Sequence, residues 1–397
     1  MKLLLSELDK RVDVTLDRSI KTDGVNGVMK FGDKNDYPQR IERIIMGSVT
    51  AKAAADIYAK FLAGSGFVNE EINNIVIGRD SRYKKITIRG LLIQAAMSMA
   101  YYNGCYIHTN LNLDRKVKNA QLLLFKNCRF SKLDERGYTS KIGYYSNWPK
   151  ERGVKFKKED IKWYDIFNLR EKVFEKQVIG AGGIEDYKGQ VYFHFLDNQY
   201  LYPLSPFDSA YMDADTENQL GYHKNNEVRN GFTKKHIFQV NEQLDSNLKG
   251  LLAKGIKTWM GSRSNPAMVI ETATDENGNI AENKAIKVTT IDSNIDSKLY
   301  ENWEKELSNK IRKAIKAIPA VLIDYDESKL GTTSGEGIIQ ATNFYNQMTK
   351  DDRNSISEMF KEVFSNSINE KLANNIDWTI KPISLYDTTN LQPATGN

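Results

Sequence analysis

The chain reads as an α+β fold, and three observations predict it. Apolar residues recur at steps of three and four over several long stretches, the mark of helices with one buried face. Between residues 105 and 240 the texture changes to β-branched and aromatic residues broken by turn signals, which reads as antiparallel sheet pieces. A second, smaller β-rich unit follows at 266–291, set between two helical stretches. With 397 residues the chain is long enough for two or three domains. A chain of that size buries roughly three quarters of its unfolded surface and needs no staples.

The elements follow in order. Tyr37-Pro38 opens a helix, because proline suits a first turn whose N–H groups are unpaired anyway. Its face takes in Ile41, Ile44, Ile45, Ala55, Tyr58, Phe61 and Leu62, and Gly64-Ser65-Gly66 ends it. A second helix is expected at 88–102, then a strand from Cys105 to Leu111. Residues 90–107 carry no charge and have to be weighed as a membrane span. Gln94, Ser98, Asn103 and Gly104 interrupt them, so a buried helix followed by an Asn-Gly turn is the better reading. Sheet pieces are expected in YTSKIGYYSNW, GQVYFHF and LYPLSPF. Helical spacing returns at 242–263 through Leu244, Leu248, Leu251, Leu252, Ile256 and Trp259. Gly250 and Gly255 weaken it by about 1 kcal/mol each.

The runs 267–273 and 285–291 read as strands joined by DENGNIAEN, where Asn277-Gly278 is a strong turn signal. The next helix places Ile295, Leu299, Trp303, Leu307, Ile311, Ala314, Ile315 and Ile318 on one face and Lys298, Glu301, Lys305, Lys313 and Lys316 on the other. Ser297 or Asp296 can cap it, and Pro319 cannot continue its hydrogen-bond ladder. The apolar run 320–323 can pack, whereas Asp324 to Gly335 is a polar, glycine-containing stretch expected to be exposed and movable. One long helix then begins near Ser334 or Gly335. It runs through Ile338, Ile339, Thr342, Phe344, Tyr345 and Met348 to Ile356, Met359, Phe360 and Val363. The polar residues 371–397 are expected to fray.

Composition narrows the function classes. The formal charge of +5 comes from 56 basic and 51 acidic residues spread along the chain. A dedicated nucleic-acid reader would show a clustered excess. Cys105 and Cys128 stand apart, without CxxC spacing or a histidine cluster, which argues against structural zinc or a disulfide framework and for a reducing compartment. The opening MKLLLSELDK is too short in its apolar run for a signal peptide.

Helix, small β insert, helix, polar loop, long helix: in that order the chain resembles the portal, or head-to-tail connector, proteins of tailed bacteriophages. YPQRIERIIMGSVTAKAAADIYAKFLAGSGF resembles the opening helix and glycine turn of the family's wing. RGLLIQAAMSMAYYNGCYIHTNLN resembles the helix that precedes the wing sheet. The resemblance implies an N-terminal wing over 1–241, stem helices at 242–264 and 294–318, and a clip at 265–293. It implies a tunnel-loop region at 319–335, a wing helix at 336–370 and a short, reduced-crown tail at 371–397. It further implies a dodecameric ring at one capsid vertex that conducts double-stranded DNA without reading its sequence, and no cofactor or catalytic residue. The implied partners are the terminase large subunit, the major capsid protein, scaffold and a head-tail adaptor, with no membrane. The implied location is the virion, after assembly in the host bacterial cytoplasm.

On that resemblance Asp324, Asp326, Glu327, Lys329, Thr332, Thr333 and Ser334 fall in the tunnel loop. Polar, hydroxyl-bearing side chains there would touch phosphates and position a duplex without reading bases. Lys305, Arg312, Lys313 and Lys316 are candidates to line the channel from the stem, although cations near a helix C-terminus are also favoured by its dipole. Asp275, Glu276, Asn277 and Glu282 at the clip tip are candidates to meet a partner.

Two other readings come from the residues. A different ring-forming head-tail adaptor would share the structural class, and Glu327-Ser328-Lys329 after an apolar run resembles the ExK end of a metal-dependent nuclease. Asp213, Asp215 and Glu217 lack the glycine and terminal glutamate of a calcium loop and read as a polar turn. The glycines of IGAGGIEDYKG read as a flexible loop, and the four histidines as packing or surface residues.

Overall fold

The computed structural model describes residues 16–148, 158–197, 199–229, 235–239, 287–291, 297–324, 334–373 and 376–384. The chain divides into two compact units, Met1–Asp215 with Ser308–Asn397, and Thr216–Leu307.

In the first unit, β1 (Ile20–Asp23) and β2 (Val28–Phe31) form a hairpin, followed by helices α1 (Tyr37–Gly47), α2 (Val49–Ala63) and α3 (Glu70–Asn73). A second hairpin, β3 (Val76–Arg79) with β4 (Lys85–Thr87), leads into α4 (Ile88–Tyr102). Then come β5 (Gly104–Leu111), β6 (Val117–Leu123), β7 (Cys128–Phe130), β8 (Lys141–Tyr144), β9 (Lys162–Ile166), α5 (Glu171–Ala181) and β10 (Gln190–Phe195). After α6 (Tyr211–Arg229) the described elements are β11 (Lys235–Gln239), β12 (Lys287–Ile291), α7 (Ser297–Ala314), α8 (Ser334–Met348), α9 (Lys350–Phe364) and α10 (Glu370–Ala373).

The fold is α+β as expected, but the main sheet among the described residues is six-stranded and mixed, in the order β6-β5-β10-β9-β8-β7. Its neighbours are antiparallel except β9 and β10, which run parallel with Gln190 opposite Asp165 and Val191 opposite Ile166. Parallel neighbours need a crossover of a dozen residues or more, and α5 is that crossover. The glycine-rich loop expected over 179–189 is in part the last turn of this helix. Gly182 and Gly183 follow it at φ 94° and 128°, a conformation that glycine adopts without steric cost.

α4 explains the uncharged stretch at 90–107. Ile88, Leu91, Leu92, Ala95, Ala96, Met99 and Ala100 are all buried in the main core, and Thr87 Oγ1 caps the helix by accepting from Gly90 N at 3.0 Å. Among the described residues no helix is long and apolar enough to cross a membrane. The first long helix expected from the sequence is two helices, because Ser48 is extended at φ −100°, ψ 123° and its Oγ accepts from Ala51 N at 2.9 Å. Serine thereby starts a helix where periodicity alone runs on.

The one long helix expected from near Ser334 to Val363 also divides, at Thr349. The Thr349 hydroxyl donates to the Tyr345 carbonyl at 2.8 Å and the Arg353 guanidinium to the Asn346 carbonyl at 2.7 Å. Side chains that engage carbonyls of the preceding turn bend a helix. Asp213 and Asp215 lie in α6 and not in the polar turn expected of them. Lys310 Nζ stands 3.7 Å from Asp213, and Ala210, Tyr211 and Ala214 are buried at helical spacing.

In the second unit, β11 and β12 pair antiparallel from Lys235 opposite Ile291 to Gln239 opposite Lys287. Leu220 and Leu307 are buried, and Lys224 forms an ion pair with Glu304. The expected helix 242–263 and the expected strand 267–273 lie outside the described residues.

Candidate functional site

Of the expected loop residues, Asp326, Glu327, Lys329, Thr332 and Thr333 lie outside the described residues, as do Asp275, Glu276, Asn277 and Glu282. Asp324 is exposed, and Ser334 is the first residue of α8. What the structure builds is the anchorage on either side of 325–333: the end of α7 with the turn after it, and the start of α8 with α9.

α7 stops at Ala314, ahead of the proline expected to end it. Lys316 and Ala317 take left-handed backbone conformations, φ 53° and 52°. For residues with a Cβ this costs about 1–2 kcal/mol each. Ile318 N–H returns to the Arg312 carbonyl at 3.2 Å, so two left-handed residues close an end that commonly needs one glycine. The reversal buries Ile311, Ile315 and Ile318 and brings Leu322 and Ile323 against the main core. A short 3-10 turn, Ala320–Leu322, follows Pro319.

Four contacts hold this reversal. Tyr345 Oη on α8 donates to the Ile315 carbonyl at 3.1 Å. Lys316 Nζ lies 3.1 and 3.2 Å from the two carboxylate oxygens of Asp352 on α9, and Tyr58 Oη on α2 donates to the same carboxylate at 2.7 Å. Arg312 Nη1 donates to the Ile318 carbonyl at 3.5 Å, with its Nη2 on Asn309 Oδ1. Burial pushes the Tyr58 and Tyr345 phenols well above their ordinary range, so both stay protonated donors.

Beside them Arg353 donates to Thr349 Oγ1 at 2.6 Å and to the carbonyls of Asn346 and Phe61 at 2.7 and 3.4 Å. Its burial lowers its affinity for a proton. α2, α8 and α9 thus hold the chain on both sides of the segment. An open cavity of about 930 Å³ adjoins α8, lined by Ile339, Phe344, Asn346 and Arg353 and by Ile380 and Ile383 of the C-terminal extended stretch.

The four cations expected to line a channel fare differently. Lys316 is paired with Asp352 while its side chain stays 43% exposed, and Arg312 is engaged at its own helix end. Lys305 and Lys313 are exposed. Tyr58, Asp352 and Arg353 had no signal as members of the site, because Tyr58 reads as one more apolar position and DDR as a solvated charge run. Only the fold brings α2 to α9. Among the described residues no group of three or more His, Cys, Asp and Glu could hold a metal ion.

No protein-family model matches the chain, and no curated protein sequence matches it. Solved structures do match. A chain from the neck of an empty gene transfer agent particle superposes with a TM-score of 0.50 at 10% identity, over 83% of this chain and 81% of that one. The chain shares that neck component's fold. A chain in the native gene transfer agent virion matches with a TM-score of 0.46 at 12% identity, over 83% of this chain and 81% of that one. A phage portal protein of the HK97 family from Corynebacterium diphtheriae matches at 0.39 and 8%, over 76% and 84%. These two are too distant to carry an argument by themselves. The resemblance read from the sequence is borne out as one of fold.

Proposed function

We propose that the chain is a portal subunit: many copies close by head-to-tail contacts into a ring around an axial channel, at one vertex of a phage-type capsid. The observation that carries this reading is the likeness to a particle-neck component over most of both chains. The order of elements in the sequence supports it independently. In this reading the ring conducts double-stranded DNA inward during packaging and outward during ejection. It serves as a platform for the terminase large subunit and then for a head-tail adaptor, and it hydrolyses nothing itself. The major capsid protein contacts the wing, scaffold takes part during assembly, and the clip residues Asp275, Glu276, Asn277 and Glu282 face the motor or adaptor.

The loop side chains Asp324, Asp326, Glu327, Lys329, Thr332, Thr333 and Ser334 and the stem cations Lys305, Arg312, Lys313 and Lys316 meet the duplex weakly and many times over. A conduit cannot hold its cargo tightly, and a ring multiplies each weak phosphate contact by the number of subunits. Deleting Leu330 to Ser334 is expected to leave ring assembly intact and to impair DNA packaging or retention. Unchanged packaging would remove the loop from the mechanism. Incubation with DNA and Mg²⁺ is expected to leave the DNA whole; cutting that disappears in Glu327→Ala would replace the proposal with a nuclease.

A further inference from the structure

We propose that Lys316 and Ala317 form a strained stop at the end of α7, latched by Asp352 and released when a phosphate competes for the Lys316 ammonium. Lysine and alanine are among the residues that favour a right-handed helix, yet here both sit at positive φ, one after the other. Left-handed residues with a Cβ persist only where their surroundings over-determine them. Three contacts surround them: the Asp352 carboxylate on Lys316, the Tyr345 hydroxyl on the Ile315 carbonyl, and the Arg312 carbonyl on Ile318 N–H. The first of these can be lost at little cost to the rest. Lys316 is part-exposed, and Asp352 keeps the Tyr58 hydroxyl when the ammonium leaves.

The released form has Ile315 to Ala317 continuing α7, a gain of about one turn, with Pro319 setting the limit. The turn 320–322 is then drawn away from the core. A polyanion passing Lys316 would thereby change the footing of the segment 325–333. The phosphate trigger rests on the proposed conduit; the latch itself does not.

Hydrogen exchange of the full-length protein, read by mass spectrometry, tests both parts. In the latched form the Leu322, Ile323 and Asp324 amides donate to Pro319 and Ala320 carbonyls at 2.7–3.1 Å. Lys316→Gln, which leaves the Asp352–Tyr58 bond in place, is expected to speed their exchange about tenfold while peptides from α4 do not change. Asp352→Asn should do the same. Ala317→Gly relieves strain only in the latched form, so Lys316→Gln combined with Ala317→Gly should restore slow exchange. A residue that only packs would show no such rescue.

Unchanged exchange in Lys316→Gln, or no rescue by Ala317→Gly, overturns the latch. A short DNA duplex at low salt should speed the same amides in the wild type and not in Lys316→Gln. If the duplex has no effect while the variants behave as stated, the phosphate trigger is overturned and the latch stands.

Discussion

At the scale of single residues, the largest fully buried side chain among the described residues is a cation, Arg129. It donates to Asn35 Oδ1 at 2.5 Å and to the carbonyls of Asn35, Cys128 and Lys126 at 2.8, 2.8 and 3.0 Å, and it lies over the Trp148 ring. Burial lowers its pKa, and the carbonyls compensate for lost water. Arg129→Leu would remove all four of these bonds; Asn35 Oδ1 keeps the Phe31 amide at 3.0 Å and the Lys126 carbonyl keeps Gln39 Nε2 at 3.1 Å, whereas the Asn35 and Cys128 carbonyls lose the guanidinium, so a loss of about 2–3 kcal/mol is expected in urea unfolding.

His108 is a second buried polar anchor. Its Nε2 lies 2.6 Å from the Lys188 carbonyl, which can only accept, so Nε2 carries the proton and Nδ1 accepts from Gln121 at 3.2 Å. A second proton would face that amide donor. Burial lowers the pKa of His108 and also of His194, whose Nε2 is 2.8 Å from Ser355 Oγ. Between the ordinary histidine value, about 6.5, and the lower folded values, the unfolded chain binds more protons than the folded one. Stability from both histidines is therefore whole above about pH 6.5 and is lost as pH falls towards the folded values. The urea midpoint should drop from pH 7 to pH 5, and His108→Gln should flatten the slope.

At the scale of elements, caps and close approaches decide boundaries that periodicity leaves open. Ser48→Ala removes the acceptor that starts α2 and should cost about 1 kcal/mol. Gly64 ends α2 at φ 52°, and a Cβ there would stand 2.1 Å from the Lys381 carbonyl oxygen. That carbonyl accepts from Ser65 N at 2.8 Å while Lys381 N–H donates to Gly66 O, also at 2.8 Å, so the glycine is what lets residues 379–381 dock. Trp378 and Ile380 bury themselves on the same docking, with Trp378 against Phe67, Phe360 and Phe364. Gly64→Ala should cost about 3 kcal/mol in thermal or urea unfolding, whereas Gly137→Ala, with open space around its Cβ, should cost far less. Gly137 also has positive φ, so the difference isolates the close approach from the backbone strain common to both.

At the scale of the whole molecule, a ring is the prediction with the widest reach. Electron micrographs of the purified protein are expected to show closed rings with a central opening wide enough for a duplex. Lone globules at every concentration, and within particles, would defeat the portal reading whatever the fold. In the proposed ring, loss of one cation such as Lys305→Ala is repeated in every subunit. The expected effect on DNA retention then grows with subunit number while stability of the subunit barely moves.

Sequence alone determined what depends on neighbours along the chain. α4 over 88–102, the strand from residue 105, the opening of α1 at Tyr37-Pro38 and the glycine end of α2 all follow from spacing, caps and backbone preference. Tertiary structure decided what depends on residues far apart in the chain. The parallel β9–β10 pair requires a crossover whose hydrophobic signal is slight, with Phe174 its one buried residue. The early stop of α7 is written in no local preference, because Lys316 and Ala317 would sooner stay helical. Tyr58 from α2, Tyr345 from α8 and Asp352 from α9 hold them there, and those contacts exist only once the core has brought three helices together.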